Sequence, residues 1–435
     1  MIRNLYKVFL LVVCLSVSAA LYAQSGNAYG EYSPYSVFGI GEISKEGTAF
    51  NKSMGGVGIA TRNKRYINYM NPAAVTARDS LSFMADFGLS QKNDIYSQKL
   101  DGNRLTSGNN TFNIYDVVFS FPIYRSSAFM LGIAPFSNVG YDFSRKDVYD
   151  NMNLVTKDKY YGEGSIYQVF AGAGVTFWKR LSVGAQAIGY FGTLEKSAAK
   201  SFTDGSIRSN KIGNTLLVRG FTGKFGVQYD QPVGDGLRLT VGATYRLATS
   251  MKGTNTYYEY AVQSGISDTV KFDVMKNSDR LKIGDELGLG VSLRGGDKWS
   301  VEFDYLRSDW YGTNIDAVDG FRANGFKAVA SQSFRAGFEI VPNRNDIRYY
   351  MRRCAYRAGV YYDQAYYKFN GNRVNSFGLT LGMTLPVFRL YNGLTIGVDM
   401  GQKGSLKNGM VRERYASFVI GFNIHDLWFQ KPRYE

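Results

Sequence analysis

Residues 237–260 read LRLTVGATYRLATSMKGTNTYYEY. Leu237, Leu239, Val241, Ala243, Tyr245 and Leu247 fall on one face and Arg238, Thr240, Gly242, Thr244 and Arg246 on the other. That period of two belongs to an extended strand. The alternation recurs at Leu287, Leu289, Val291 and Leu293, at Phe377, Leu379, Leu381, Met383 and Leu385, and at Phe418, Ile420, Phe422 and Ile424. The opposite faces carry mainly Gly, Ser and Thr, unlike the charged surface of a soluble sheet. Lipid outside and a polar lumen inside account for both faces of such a strand. Residues 237–260 also decide the strand count. Read as one long strand they give about 14 strands, the even number a bacterial barrel needs; read as a hairpin they break the parity.

The connections support this reading. Short ones at 124–127, 178–180, 231–236 and 295–298, with medium ones at 342–352 and 386–393, alternate with polar stretches at 91–109, 144–158, 200–211, 262–280, 311–328 and 403–410, and with a brief loop at 370–374. Tight turns on one side and long loops on the other describe an up-and-down outer-membrane barrel, with the turns and both chain ends in the periplasm. Trp178, Trp299 and Phe388 near the turns, and Trp310, Tyr366 and Tyr367 near the loops, are expected to form two interfacial girdles.

Composition agrees. The 435 residues include 49 Gly, 33 Tyr and 29 Phe but only 8 Pro, and the mean hydropathy is -0.22. Arg3 and Lys7 precede an apolar run from Val8 to Ala20 and then Tyr22-Ala23-Gln24, the pattern of a secretory signal cleaved after Ala23. Past that site one cysteine remains, Cys354, so no internal disulfide forms, and the single histidine, His425, argues against histidine-based catalysis or a multi-histidine metal site. No cofactor and no enzymatic activity are expected. The net charge of +15 fits attraction to lipid headgroups better than nucleic-acid binding.

Between signal and first strand the grammar differs. Residues 54–79, MGGVGIATRNKRYINYMNPAAVTARD, contain Gly55, Gly56 and Gly58 and end on Asn71-Pro72-Ala73. Pro72 removes a donor and pushes Asn71 out of the α region, so an irregular plug is predicted. The expected organisation is signal peptide 1–23, hatch 24–79, transmembrane β-barrel 80–424 and a periplasmic tail 425–435 containing Trp428 and Phe429. Met54 to Ala60 lacks the Gly-Lys-Ser/Thr ending of a phosphate-binding loop.

A glycine-rich stretch followed by Asn-Pro-Ala before the first strand resembles the hatch of the FadL family of outer-membrane barrels, which carry hydrophobic compounds. Ala134-Pro135-Phe136-Ser137 in the third predicted strand resembles the proline-containing kink of that family, and residues 33–41, SPYSVFGIG, are similar to the start of FadL-like barrels from Bacteroidota. The resemblance implies that Ala134, Pro135, Phe136 and Ser137 line a lateral opening, with Gly55, Gly56, Gly58, Asn71, Pro72 and Ala73 gating the lumen. The residues themselves add a charged interior. Arg238, Arg246, Glu302, Asp304, Arg335 and Arg357 face inward by alternation and are expected to grip the hatch. Glu302 and Asp304, two apart on one strand, are expected to pair with Arg335, Arg357 or Arg246 rather than do acid/base work. The function expected first is passive uptake of fatty-acid-like hydrophobic molecules past the hatch with lateral exit; the alternative is a non-transporting scaffold or accessory subunit of a Bacteroidota outer-membrane complex, in type 9 secretion or barrel assembly. The expected partners are outer-membrane lipid with a hydrophobic ligand or a protein subunit.

Overall fold

The computed structural model describes residues 31–427, apart from 79–81, 101, 125, 150–153, 203, 205–206, 264–265, 316–324 and 388–391. The predicted signal peptide and Trp428 and Phe429 lie outside the described residues. The chain forms a closed antiparallel barrel of 14 strands. These are β1 (Ser82–Leu100), β2 (Asn103–Tyr124), β3 (Ser127–Tyr149), β4 (Leu154–Phe177), β5 (Leu181–Phe202) and β6 (Ser209–Gly234), then β7 (Leu237–Arg246 with Thr249–Gln263) and β8 (Ile266–Ile283 with Glu286–Gly295). The ring continues through β9 (Trp299–Ser308), β10 (Phe326–Ala328 with Ser331–Ile340), β11 (Ala355–Phe369), β12 (Asn372–Pro386), β13 (Gly393–Lys403) and β14 (Arg412–Leu427). β14 closes onto β1, from Arg412 opposite Ser97 to Leu427 opposite Ser82. Closure matters because each backbone group left unpaired in hydrocarbon costs several kcal/mol.

Both halves of β7 run antiparallel to β6, so residues 237–263 climb the wall as one strand interrupted at 247–248. Its faces are inverted relative to a soluble protein. Val241 and Tyr245 are 49% and 42% exposed, whereas Thr244 and Arg246 are 3% and 2% exposed. The apolar residues face outward and the polar ones are covered, because the lumen is filled.

The stretches predicted as loops at 91–109, 144–158, 200–211 and 262–280 are mostly strand. β1 and β2 extend to Leu100 and Asn103, β3 and β4 to Tyr149 and Leu154, β5 and β6 to Phe202 and Ser209, and β7 and β8 to Gln263 and Ile266. Beyond the apolar belt alternation ceases to be required, so the sequence signal ends while the backbone ladder continues. The last strand likewise runs through His425 to Leu427 rather than stopping at 424. The girdle expectation holds for Trp178, 83% exposed at the β4–β5 turn, and fails for Trp310, Tyr366 and Tyr367, which are almost fully buried inside.

Candidate functional site

Residues 31–78 form a nearly covered segment inside the ring of strands, built from short local devices. Ser33 caps a 3-10 turn at Pro34–Val37, Thr48 and Asn51 form a capping box around the single helical turn Ala49–Lys52, and Asn71 Oδ1 accepts from Ala73 N to cap Pro72–Thr76. The two prolines stand at first helical positions, where their missing N–H costs nothing.

Residues 49–73 lie against a belt of wall glycines. A Cβ on Gly421 of β14 would sit 2.2 Å from Ala49 Cβ, on Gly382 of β12 2.3 Å from Ser53 Cβ, and on Gly359 of β11 2.2 Å from Gly55 N. Around the ring, Gly337 of β10 meets Met54 O at 2.5 Å, Gly290 of β8 meets Ile59 Cβ at 2.8 Å and Gly242 of β7 meets Ile59 O at 2.3 Å. Gly226 of β6 and Gly184 of β5 leave room for Asn71 Oδ1 at 2.1 Å and the Pro72 carbonyl carbon at 2.4 Å. Only glycine lets a wall strand approach the segment this closely. The predicted hatch residues Gly55, Asn71, Pro72 and Ala73 therefore contact the wall itself, while Gly56 faces Arg335 and Gly58 faces Met70.

The wall's charged groups fasten this stretch. Asp304 Oδ2 accepts from the N–H groups of Gly58 (2.6 Å) and Ile59 (2.9 Å), and Glu302 accepts from the Thr61 hydroxyl. Arg335 Nη1 donates to Gly56 O at 3.0 Å. Arg246 lies 3.8 Å from Glu46 and 3.3 Å from Glu286, and Lys224 lies 2.8 Å from Glu46. Arg357 pairs with Glu339 at 2.7 Å and stacks over Phe50 and Tyr66 at 4.5 and 4.9 Å. Five of the six predicted charged residues thus touch the segment. Arg238 does not; it pairs with Asp230 of the neighbouring strand at 2.5 Å. The expected arginine partners of Glu302 and Asp304 are replaced by segment N–H and O–H donors, because those donors reach the carboxylates first.

A different arrangement holds residues 31–44. β2 and β3 pair only from Val117 opposite Ile133 to Tyr124 opposite Ser127. Past that point the wall has a seam. β3 stays paired with β4 on its other edge, with a bulge between Pro135 and Ser137, as a strand proline demands. Where β2 would lie, Glu42 and Ile43 pair with Asn138 and Ser137. Ser44 N donates to Phe136 O (2.9 Å), Ser33 N to Gly140 O (2.9 Å) and Gly140 N to Ser36 Oγ (3.1 Å). Ala134, Pro135, Phe136 and Ser137 are all buried. They sit at the seam, yet its edge is taken by the chain's own N-terminal segment.

Aromatic packing anchors the same stretch. Phe38 stacks on Phe326 at 5.7 Å and packs on Tyr367 at 5.2 Å, and Tyr366, itself 4.8 Å from Trp310, donates to Gly41 O at 2.8 Å. This explains why these residues left the girdle. Ser33 bonds Glu413 at 2.7 Å and Tyr32 bonds Asp142 O at 3.0 Å, so residues 32 and 33 lie in the long-loop half of the lumen. Behind the seam is a cavity of about 320 Å³ lined by Glu42, Lys45, Lys52, Lys92, Asp399 and Glu413 among others. Phe136, Trp310, Tyr366 and Tyr367 line it as well, so charged and apolar groups share its wall. The glycine belt and the seam pairing were not read from the sequence; the inward-facing glycines that recur on eight of the strands were the available signal.

The toluene transporter TbuX of Ralstonia pickettii superposes with a TM-score of 0.58 at 17% identity, covering 87% of this chain and 98% of that one. The Pseudomonas putida toluene transporter TodX gives 0.60 at 13% identity, with 89% and 100% covered. A Pseudomonas aeruginosa FadL homologue gives 0.56 at 12%, with 88% and 99% covered. At these identities the shared property is the fold, that of the FadL-type outer-membrane barrels. No curated protein sequence matches the chain. The family model named BamG matches residues 1–435, and the chain therefore belongs to the BamG family.

Proposed function

We propose that this protein is a sealed, non-enzymatic outer-membrane barrel serving as an accessory subunit of the barrel assembly machinery. The observation that carries the reading is the pairing of Glu42 and Ile43 with the β3 edge, which fills the seam through which a ligand would leave. The glycine belt supports it, since it seats residues 49–73 against the wall around the ring. Membership of the BamG family favours barrel assembly over type 9 secretion.

Uptake of hydrophobic molecules is the second reading. It draws on the Pro135 bulge, the broken β2–β3 ladder and the fold shared with toluene transporters. Extraction of the native protein in mild detergent, followed by mass spectrometry, separates the two. A stoichiometric protein partner and no apolar ligand is the expected result. A barrel that arrives alone with bound fatty acids or aromatic compounds would overturn it.

A further inference from the structure

The short-turn mouth of the lumen holds a second cavity, of about 410 Å³, bounded by the β4–β5 and β8–β9 turns and by residues 61–65 and 76–78. Its lining is dominated by guanidinium groups, with Arg62, Arg78, Arg238, Arg294 and Arg344 all contributing. The carboxylates that line it are already engaged. Asp230 pairs with Arg238 at 2.5 Å, Asp297 with Arg65 at 2.7 Å and Glu339 with Arg357 at 2.7 Å, while Glu302 accepts from Thr61 and Ser292.

Three arginines are left with neutral company. Arg62 donates to Ser182 Oγ (2.6 Å), Gln228 Oε1 (3.3 Å) and Thr76 Oγ1 (3.4 Å). Arg78 donates to Ser120 Oγ (2.5 Å) and Val75 O (3.2 Å), and Arg294 to Arg62 O (2.5 Å). Among the described residues, no carboxylate lies within 4.0 Å of any of the three. Burial pushes Arg62 and Arg78 down to about 10, although the charge of Asp230 works the other way on Arg62, so each still carries its charge without a carboxylate in contact. All three are half-buried and border the cavity, and guanidinium forks match carboxylates in geometry.

We propose that this vestibule docks a carboxylate-rich segment of a partner subunit, entering along the barrel axis. The inference rests on the accessory-subunit reading and adds where, and by what chemistry, the partner binds. A lipid headgroup is a poorer occupant, because the cavity opens inside the wall while lipid meets the apolar outer face. A single small anion underfills it and reaches few of the arginines, which come from the N-terminal segment, β7, β8 and the β10–β11 connection.

The test uses the purified full-length barrel in detergent with a fluorescently labelled peptide of alternating Glu and Ser, read by anisotropy. Saturable binding is expected, weakening as salt rises. Arg62→Gln with Arg294→Gln should weaken it at least tenfold, while Lys146→Gln with Lys157→Gln, which removes the same charge on the long-loop side, should leave it unchanged. Arg62→Lys with Arg294→Lys retains the charge and should keep most of the binding, and the heat-modifiable gel shift of each variant reports a folded barrel. Equal loss in both glutamine pairs, absent saturation, or full competition by inorganic phosphate at equal concentration would overturn the proposal. Because the peptide is presented to the isolated barrel, its failure is separable from failure of a partner to co-purify.

Discussion

The two halves of the N-terminal segment are held by different physics. Residues 49–73 lie backbone to backbone against wall glycines, with Asp304 and Arg335 fastening the chain. Residues 31–44 complete a strand edge and rest in an aromatic nest. The first arrangement is steric and specific to one chain. Strand pairing is generic, because any extended peptide offers the same donors and acceptors. Under the sealed-barrel reading the lower contact is the more specific of the two closures, and the upper one rests on pairing that another extended peptide could also make.

The largest expected effect tests the lower half. Gly359→Val sets a side chain where Gly55 N stands 2.2 Å from the added Cβ, an overpacking of about 3 kcal/mol that the segment relieves by leaving. Planar-bilayer recordings should change from silent to conducting while the gel shift persists; a silent variant would mean the belt does not seat the segment. Asp304→Ala comes next, since it strands two buried N–H donors at Gly58 and Ile59 at a cost of about 2–3 kcal/mol. Hydrogen exchange at those two amides should accelerate, and less so in Asp304→Asn, which keeps one acceptor.

A smaller change is expected at the seam. Ser44→Pro deletes the donor to Phe136 O, worth about 1 kcal/mol, and should raise entry of an apolar dye without affecting the belt amides. A disulfide between Glu42→Cys and Asn138→Cys, which face each other in register, should leave the function of a sealed barrel intact. Loss of function on cross-linking would restore the transport reading.

The smallest effect is one of pH. Burial alone would raise the Glu46 carboxyl, but Lys224 and Arg246 overcome it and hold the group below the usual carboxylate value of 4.5. A depressed carboxyl stabilises the folded state above its unfolded pKa and loses that contribution as pH falls through the folded one. The melting midpoint should therefore drop below about pH 4.5, and Glu46→Gln should flatten the drop while lowering stability at neutral pH.

Much of this molecule is legible in its sequence. Alternation at 237–247, 287–293, 377–385 and 418–424 located strands and their lipid-facing sides, and parity selected the long β7. The inward direction of Arg246, Glu302, Asp304, Arg335 and Arg357 followed from the same period, because facing is a local property of an extended chain. Strand ends above the apolar belt were not legible, since paired backbone there leaves no side-chain rhythm. Trp310, Tyr366 and Tyr367 misled because an aromatic near a strand end serves an interfacial girdle or an internal nest equally well.

Alternation, parity and composition suffice for a closed, even-stranded barrel with a polar interior and an irregular segment ahead of it. That Gly55 meets Gly359, and that Ile43 takes the place of β2 beside Ser137, emerges with the packed fold alone. Those contacts join residues far apart in the chain, and a pattern with a period of two carries no information about which distant backbone fills a lumen or caps an edge.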